Sequence, residues 1–137
     1  MRTKITTLDG VPFVTPDPFG FPFDHIGECP PCCGAGNGFG ERIVPETFLL
    51  LRVSIVCYIH DECWEIAAPT WEDFHQSNAM LMTNALTLIR RATPILPFIV
   101  TPLRVYRAAT YYNFVDFLGA PIFWEYKRSQ GFDGVVP

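Results

Sequence analysis

The chain has 137 residues, of which 49% are hydrophobic and 18% are charged, and its formal net charge is −4. This length suits one domain built around one core. The acidic balance excludes the basic footprint that nucleic-acid binding needs, so no nucleic-acid partner is expected. The low charge with 15% aromatic residues indicates apolar surface that meets a lipid, a protein partner or another copy.

The sequence carries no conventional secretory signal, because the opening residues MRTKITTLDG include no apolar core of signal-peptide length. The longest apolar stretches, FLLLRVSIVCYI and PILPFIVTPL, contain an Arg or several Pro and are too short to cross a bilayer. We expect a soluble protein or a subunit of an assembly. Its location stays open between a virion and export by a non-classical route.

Pro and Gly crowd the first third of the chain, in PDPFGFPF and CPPCCGAGNGFG. Pro fixes φ and removes a donor, and Gly permits positive φ. Residues 1–45 are therefore expected to form an irregular arm of loops and turns with a cysteine-rich insert. The odd number of cysteines leaves at least one thiol free or paired between chains. They are Cys29, Cys32, Cys33, Cys57 and Cys63.

The rest of the chain has helical patterns. Pro45, followed by ETFLLLRVSIVCYIHDECWEIA, predicts a helix over 46–67. Thr70 with Asp73 is close to a capping box and predicts a second helix over 71–92. A third helix is predicted over 102–118, stopped by Gly119, and APIFWEYKRSQG predicts a short helix after it.

These elements predict one mainly α domain over 1–137, with a helical core at 46–119 and a C-terminal extension at 120–137. Two long helices joined by two or three residues must lie antiparallel. The middle of the first, near His60, then approaches the middle of the second, near Asn78. Because Asn78 lies on an apolar stripe, its amide should have a partner.

The stretch CYIHDECW places His60 beside Asp61, with a cysteine on either side. At about 100° per residue, Cys57 and Cys63 share a helix face with His60, and Asp61 lies over Cys57. One helical turn therefore offers a base, an acidic ligand and two sulfur atoms.

This C-x-x-H-D-x-C pattern resembles the catalytic-helix signature of the secreted phospholipase A2 superfamily. TPDPFGFPF and ATYYNFVDFLG resemble two segments of its bacterial and fungal branch, and Leu8-Asp9-Gly10 resembles that branch's calcium loop. The matches occur in family order. The resemblance implies a phospholipase A2-like fold of two long antiparallel helices and a C-terminal helix.

The resemblance implies a calcium-dependent hydrolase of the sn-2 ester of glycerophospholipids, acting on a phospholipid or membrane surface. His60 is then the base that takes a proton from water. Asp61, Asp9 and the carbonyl of Gly10 are the implied Ca²⁺ ligands.

A second calcium loop is also implied. CCGAGNG resembles the Cys-Gly-x-Gly loop of the animal enzymes, whose carbonyls bind the ion. Cys32, Gly34 and Gly36 are therefore alternative ligands. We prefer Asp9–Gly10, because that match agrees with the PFGFPF segment.

The sequence departs from the family at the residue that orients the histidine, where Asn78 replaces a carboxylate. An amide oxygen can still accept from Nδ1–H but cannot stabilise imidazolium equally, so Asn78→Asp is expected to raise activity. Asp73 is an alternative orienter, about 140° round the helix from Asn78.

The branch's usual partner of the cysteine before His-Asp is also replaced, since Val11 stands at its place. The resemblance then implies that Cys57 bonds to one of Cys29, Cys32 or Cys33.

Two other interpretations stay open. The five cysteines could bind zinc, since two residues between ligands is a suitable spacing. Alternatively, the chain is a non-catalytic structural subunit of a larger assembly, such as a phage particle or injection device, built on a phospholipase A2-like fold. Protein partners or a homo-oligomer would then replace the lipid.

Overall fold

The computed structural model describes residues 1–33, 46–92 and 94–134. Within these residues two β-hairpins precede a series of α-helices, which confirms the expected mainly α class. The strands are β1 (Thr3–Leu8), β2 (Val11–Pro16), β3 (Thr47–Phe48) and β4 (Leu51–Arg52), and the helices are α1 (Ser54–Ile66), α2 (Trp71–Arg91), α3 (Pro97–Leu118) and α4 (Ala120–Ser129).

The N-terminal hairpin corrects the expectation that the whole of residues 1–45 is irregular. β1 and β2 pair antiparallel, with Leu8 opposite Val11. Asp9 and Gly10 between them have φ of +48° and +74°. Such a two-residue turn suits the right-handed twist of paired strands, and Asp-Gly favours it. The predicted calcium loop is therefore the tip of a hairpin.

The predicted helix over 46–67 begins only at Ser54, because β3 and β4 form a second hairpin before it. Leu49 and Leu50 make its turn, with φ of +48° and +67°. Leucine rarely adopts this left-handed conformation. Contacts from elsewhere in the fold must therefore stabilise the turn.

One distant side chain supplies those contacts. The guanidinium of Arg104 donates to the carbonyl of Phe48 over 3.2 Å and to that of Leu49 over 3.0 Å. These two carbonyls would accept intrahelical bonds in the predicted helix, and the bonds from Arg104 satisfy them instead. Glu46, just before β3, accepts from the N–H of Cys33 over 2.7 Å and from the hydroxyl of Ser54 over 2.6 Å, and so joins the start of the hairpin to the first turn of α1.

The second predicted helix, 71–92, agrees with α2 to within one residue. The hydroxyl oxygen of Thr70 caps it by accepting from the N–H of Asp73 over 3.2 Å. α1 and α2 are antiparallel, as predicted. Trp64 of α1 meets Phe74 of α2, whereas His60, one turn earlier in α1, meets a residue one turn later in α2.

The third helix starts at Pro97 rather than at the predicted residue 102. Pro97 suits the first helical turn, where its missing N–H has no intrahelical partner. Pro102 lies inside the helix, near its start, and frees the carbonyl of Phe98. Because Phe98 is exposed, water can satisfy that carbonyl. After Gly119 the chain continues into α4, the short further helix expected from the sequence.

The main core forms where β2, α1 and α2 pack together, and a smaller aromatic cluster joins α2 to α4. The largest buried side chains of the main core include Phe13, Phe48, Ile59, Leu81 and Ile89. The smaller cluster contains Phe74, Phe123 and Trp124. In the described part of the chain, no helix is both long enough and apolar enough to cross a membrane.

Candidate functional site

His60 and Asn78 meet across the antiparallel helices, as the sequence predicts. The Nε2 of His60 lies 2.9 Å from the Oδ1 of Asn78, and both residues are buried, with 6% and 0% of their surface exposed. The imidazole bonds through Nε2, whereas the sequence-based expectation named Nδ1. Nδ1 of His60 makes no hydrogen bond within the described residues.

The amide of Asn78 has a second partner that the sequence analysis missed. Its Nδ2 donates to the Oδ1 of Asp116 in α3 over 3.0 Å. The same oxygen lies 2.9 Å from the Nδ1 of His75. One signal could have found Asp116, which is the only carboxylate between Asp73 and Glu125.

Burial lowers the pKa of His60 from 6.5 to about 4, although the hydrogen bond to Asn78 acts in the opposite direction. The indole of Trp64 covers the imidazole, with ring centroids 4.9 Å apart. His60 is therefore neutral at pH 7, the state in which an imidazole nitrogen can accept a proton.

Asp73, the alternative orienter, does not reach His60. One of its carboxylate oxygens accepts from the N–H of Ala68 over 2.7 Å, and the other lies 2.6 Å from the amino group of Met1. Both oxygens are thus engaged at the corner between α1 and α2. Of the two residues predicted to orient the imidazole, Asn78 and Asp73, the fold brings only Asn78 to it.

Asp61 lies beside the site, on the exposed side of α1. Crowding by protein atoms, followed by the charges of Glu62 and Glu46, raises its pKa to about 7. Within the described residues Asp61 makes no hydrogen bond or ion pair. Burial raises the pKa of Tyr111, and the charge of Asp61 raises it further. Tyr111 therefore lies near Asp61.

Asp9 is bonded elsewhere. Its Oδ2 accepts from the N–H of Ile26 over 2.8 Å, and its Oδ1 lies 3.2 Å from the Nδ1 of His25. The bond from Ile26, followed by that from His25, lowers the pKa of Asp9. Its carboxylate therefore ties the Asp9–Gly10 turn to the segment that follows β2.

Cys57 forms a disulfide with Cys33, as the resemblance implied for one cysteine of the insert. The Cα atoms are 5.2 Å apart. Cys32 donates from its thiol to the carbonyl of Ser54 over 3.3 Å. The disulfide removes two of the five thiols that the zinc interpretation used, so a site built on all five cysteines is wrong.

Asp61 has no partner among the described residues, and nearby protein atoms and neighbouring acids raise its pKa. A cation beside this carboxylate would lower that pKa. The described residues contain no group of three or more His, Cys, Asp or Glu side chains arranged for a metal ion. The alternative ligands Gly34 and Gly36 lie outside the described residues.

Comparison of the chain with models of protein families, with curated proteins and with solved structures finds no match.

Proposed function

We propose that the chain is a phospholipase A2-like hydrolase of the sn-2 ester of glycerophospholipids, with His60 as the base. The hydrogen bond between His60 and Asn78 carries the proposal. An amide oxygen only accepts, so the proton of the neutral ring is on Nε2 and the lone pair is on Nδ1. A buried, neutral and oriented imidazole is what proton abstraction from water requires.

The reaction then proceeds by proton transfers at one atom. A water molecule attacks the ester carbonyl carbon while Nδ1 of His60 takes its proton. The imidazolium returns that proton to the leaving oxygen as the ester bond breaks. The products are a fatty acid and a lysophospholipid, and Asn78 keeps the ring in place throughout.

Calcium fits the proposal through Asp61, which would hold the ion beside the base. When bound, the ion would supply Lewis-acid polarisation of the ester carbonyl. Asp9 is a weaker candidate for a further ligand than the sequence suggests, because both of its carboxylate oxygens are engaged. Gly34 and Gly36 lie outside the described residues, so their part in a calcium site stays a prediction.

A test of the calcium site needs binding data as well as activity. Calorimetry should show millimolar calcium binding to the wild type and a raised Tm, because a ligand selective for the folded state stabilises it. Asp61→Asn should abolish both effects. Asp9→Asn and the distant control Glu125→Gln should retain them. Loss of binding in Asp9→Asn would restore the Asp9–Gly10 loop as the ligand source.

An exposed apolar face on α3 supports a lipid surface as the partner. Phe98 and Phe117, near its two ends, are 93% and 85% exposed. Residues 74–115 contain no Asp or Glu, and Arg90, Arg91 and Arg107 lie exposed in that stretch. Exposed phenyl rings and exposed arginines in a part of the sequence without acidic residues would suit an anionic lipid surface.

The second candidate is a non-catalytic subunit of a larger assembly. Two observations favour it: Asn78 replaces the carboxylate of the resembled family, and the pKa of His60 is only about 4, so the base is weak. On this alternative, the apolar face of α3 would contact another protein.

The deciding experiment is release of fatty acid from mixed phospholipid vesicles with calcium and with chelator. We expect calcium-dependent release by the wild type. His60→Gln should abolish the release of fatty acid, because the amide of Gln can still donate to Asn78 but cannot take a proton from water. No release by a folded, monodisperse wild type would favour the assembly subunit. Undiminished release by His60→Gln would contradict the mechanism.

A further inference from the structure

The side-chain amide of Asn78 is a bridge between His60 and Asp116. Its oxygen faces the imidazole over 2.9 Å and its nitrogen faces the carboxylate over 3.0 Å. Asn78 is fully buried and comes from α2, whereas its two partners come from α1 and α3. Three helices thus meet in one polar chain that runs from buried His60 to the partly exposed Asp116.

The chemistry of the groups allows only one direction for this chain. An ionised carboxylate accepts and cannot donate, so Asn78 must present its NH₂ to Asp116. The amide oxygen is then left for His60, which must donate to it from Nε2. The lone pair of the neutral imidazole is therefore on Nδ1.

We propose that Asp116 is a positioning residue, which acts through Asn78 to keep the proton of His60 on Nε2. The inference rests on the proposed function for its catalytic meaning. Asp116 touches neither His60 nor the reacting atoms. Without the carboxylate, the amide could turn, present its NH₂ to the ring and favour the tautomer with Nδ1–H, which cannot act as the base.

His75 strengthens the arrangement from the solvent side. Its Nδ1 lies 2.9 Å from the oxygen of Asp116 that accepts from Asn78. The ring of His75 stacks on Trp71, with centroids 5.9 Å apart. The two hydrogen bonds keep the pKa of Asp116 below its usual value, although partial burial, the largest single influence, acts to raise it. Asp116 therefore stays ionised at neutral pH.

The arrangement gives a reason for a neutral residue at position 78. Asn78→Asp would place a second carboxylate about 3 Å from Asp116, and two carboxylates that close do not both ionise. The structure therefore changes the expectation that Asn78→Asp alone raises activity. The informative change is the exchange Asn78→Asp/Asp116→Asn, which puts the single carboxylate directly beside His60.

The test uses the full chain labelled with ¹⁵N-histidine, because long-range ¹⁵N–¹H NMR spectra distinguish the imidazole tautomers. In the wild type we expect His60 to carry its proton on Nε2 alone. Asp116→Asn, at a side chain that is 24% exposed, should give mixed tautomers, and Glu125→Gln on α4 should not. An Nδ1–H tautomer in the wild type would overturn the proposal without any variant.

Hydrolysis gives a second and independent readout. Asp116→Asn should lower kcat about 10- to 100-fold with KM unchanged, because indirect partners that orient a metal-bound histidine have effects of that size. The exchange variant should recover most of this loss. If Asp116→Asn keeps both the wild-type tautomer and kcat, Asp116 is merely structural. If the wild type hydrolyses nothing, the proposed function fails, and the NMR spectra still decide whether Asp116 sets the tautomer.

Discussion

The side chain of Asn84 pairs with both backbone groups of Val14. Its Oδ1 accepts from the N–H over 2.8 Å, and its Nδ2 donates to the carbonyl over 2.7 Å. Val14 lies on β2, so the amide acts as a one-residue strand added to the edge of the N-terminal hairpin. Asn84 is fully buried, and the pair therefore joins the hairpin to α2 without exposing a polar atom.

Replacement of Asn84 should accordingly destabilise the fold. Asn84→Leu keeps the number and branching of the side-chain heavy atoms but leaves the N–H and carbonyl of Val14 without their partner, which should cost about 2–4 kcal/mol for two groups. Chemical denaturation gives the free energy of unfolding. Asn113→Leu, at an exposed amide on α3, is the matched control and should change it by less than about 0.5 kcal/mol. Equal effects of the two changes would contradict this role.

The Cys33–Cys57 disulfide should make a large contribution to stability. It joins residues separated by 24 positions. Closing a loop of that length lowers the conformational entropy of the unfolded chain, which stabilises the fold by about 3–3.5 kcal/mol. Reductant should therefore lower the denaturation midpoint of the wild type and leave Cys33→Ala/Cys57→Ala unchanged. A wild-type midpoint insensitive to reductant would contradict the prediction.

The free energy of unfolding should vary with pH because of two neighbouring residues, His60 and Asp61. The pKa of His60 is about 4 in the fold and 6.5 when unfolded, so the unfolded chain binds more protons between these values. The contribution of His60 to the free energy of unfolding thus falls by about 3 kcal/mol as pH drops from 6.5 to 4. The pKa of Asp61 is raised from 3.8 to about 7, so its contribution grows as pH drops through that window.

In the wild type, the effects of His60 and Asp61 on the pH dependence of stability oppose each other. Solvent screens the exposed Asp61, so we assign its contribution a direction without a size. Asp61→Asn removes the opposing linkage and should make the loss of stability between pH 6.5 and 4 steeper than in the wild type. The measurement is urea denaturation at a series of pH values without calcium. A shallower loss in Asp61→Asn would contradict the raised pKa of Asp61.

The apolar face of α3 should bind anionic lipid. Phe98→Asp should weaken cosedimentation with anionic vesicles at least about 10-fold, because it removes an exposed phenyl ring and adds a repelled charge. Ile5→Asp, at a 65% exposed residue on β1, is the matched control and should bind like the wild type. If Phe98→Asp changes self-association and leaves vesicle binding intact, the face belongs to a protein interface.

The sequence alone was enough to predict where His60 and Asn78 would meet. Helical period and a short connection force two neighbouring helices to lie antiparallel, and residues equidistant from the connection then face each other. α2 was predicted from a local signal, since Thr70 and Asp73 mark its start. A cysteine of the insert was expected to pair with Cys57 from the resemblance, but the sequence did not distinguish Cys33 from Cys29 or Cys32.

The two hairpins and the carboxylate of Asp116 were not predicted from the sequence. Asp9-Gly10 is a local turn signal, and it forms a hairpin within an arm whose Pro and Gly content favours irregular structure. The second hairpin could not be predicted from the local sequence, since Leu49 and Leu50 favour a helix and the side chain that satisfies two carbonyls of the hairpin, Arg104, comes from α3. Asp116 reaches Asn78 only after α3 has packed on α2. Local pattern thus determined the helices and the first pair of the site, whereas hydrogen bonds between residues far apart in the chain decided the rest.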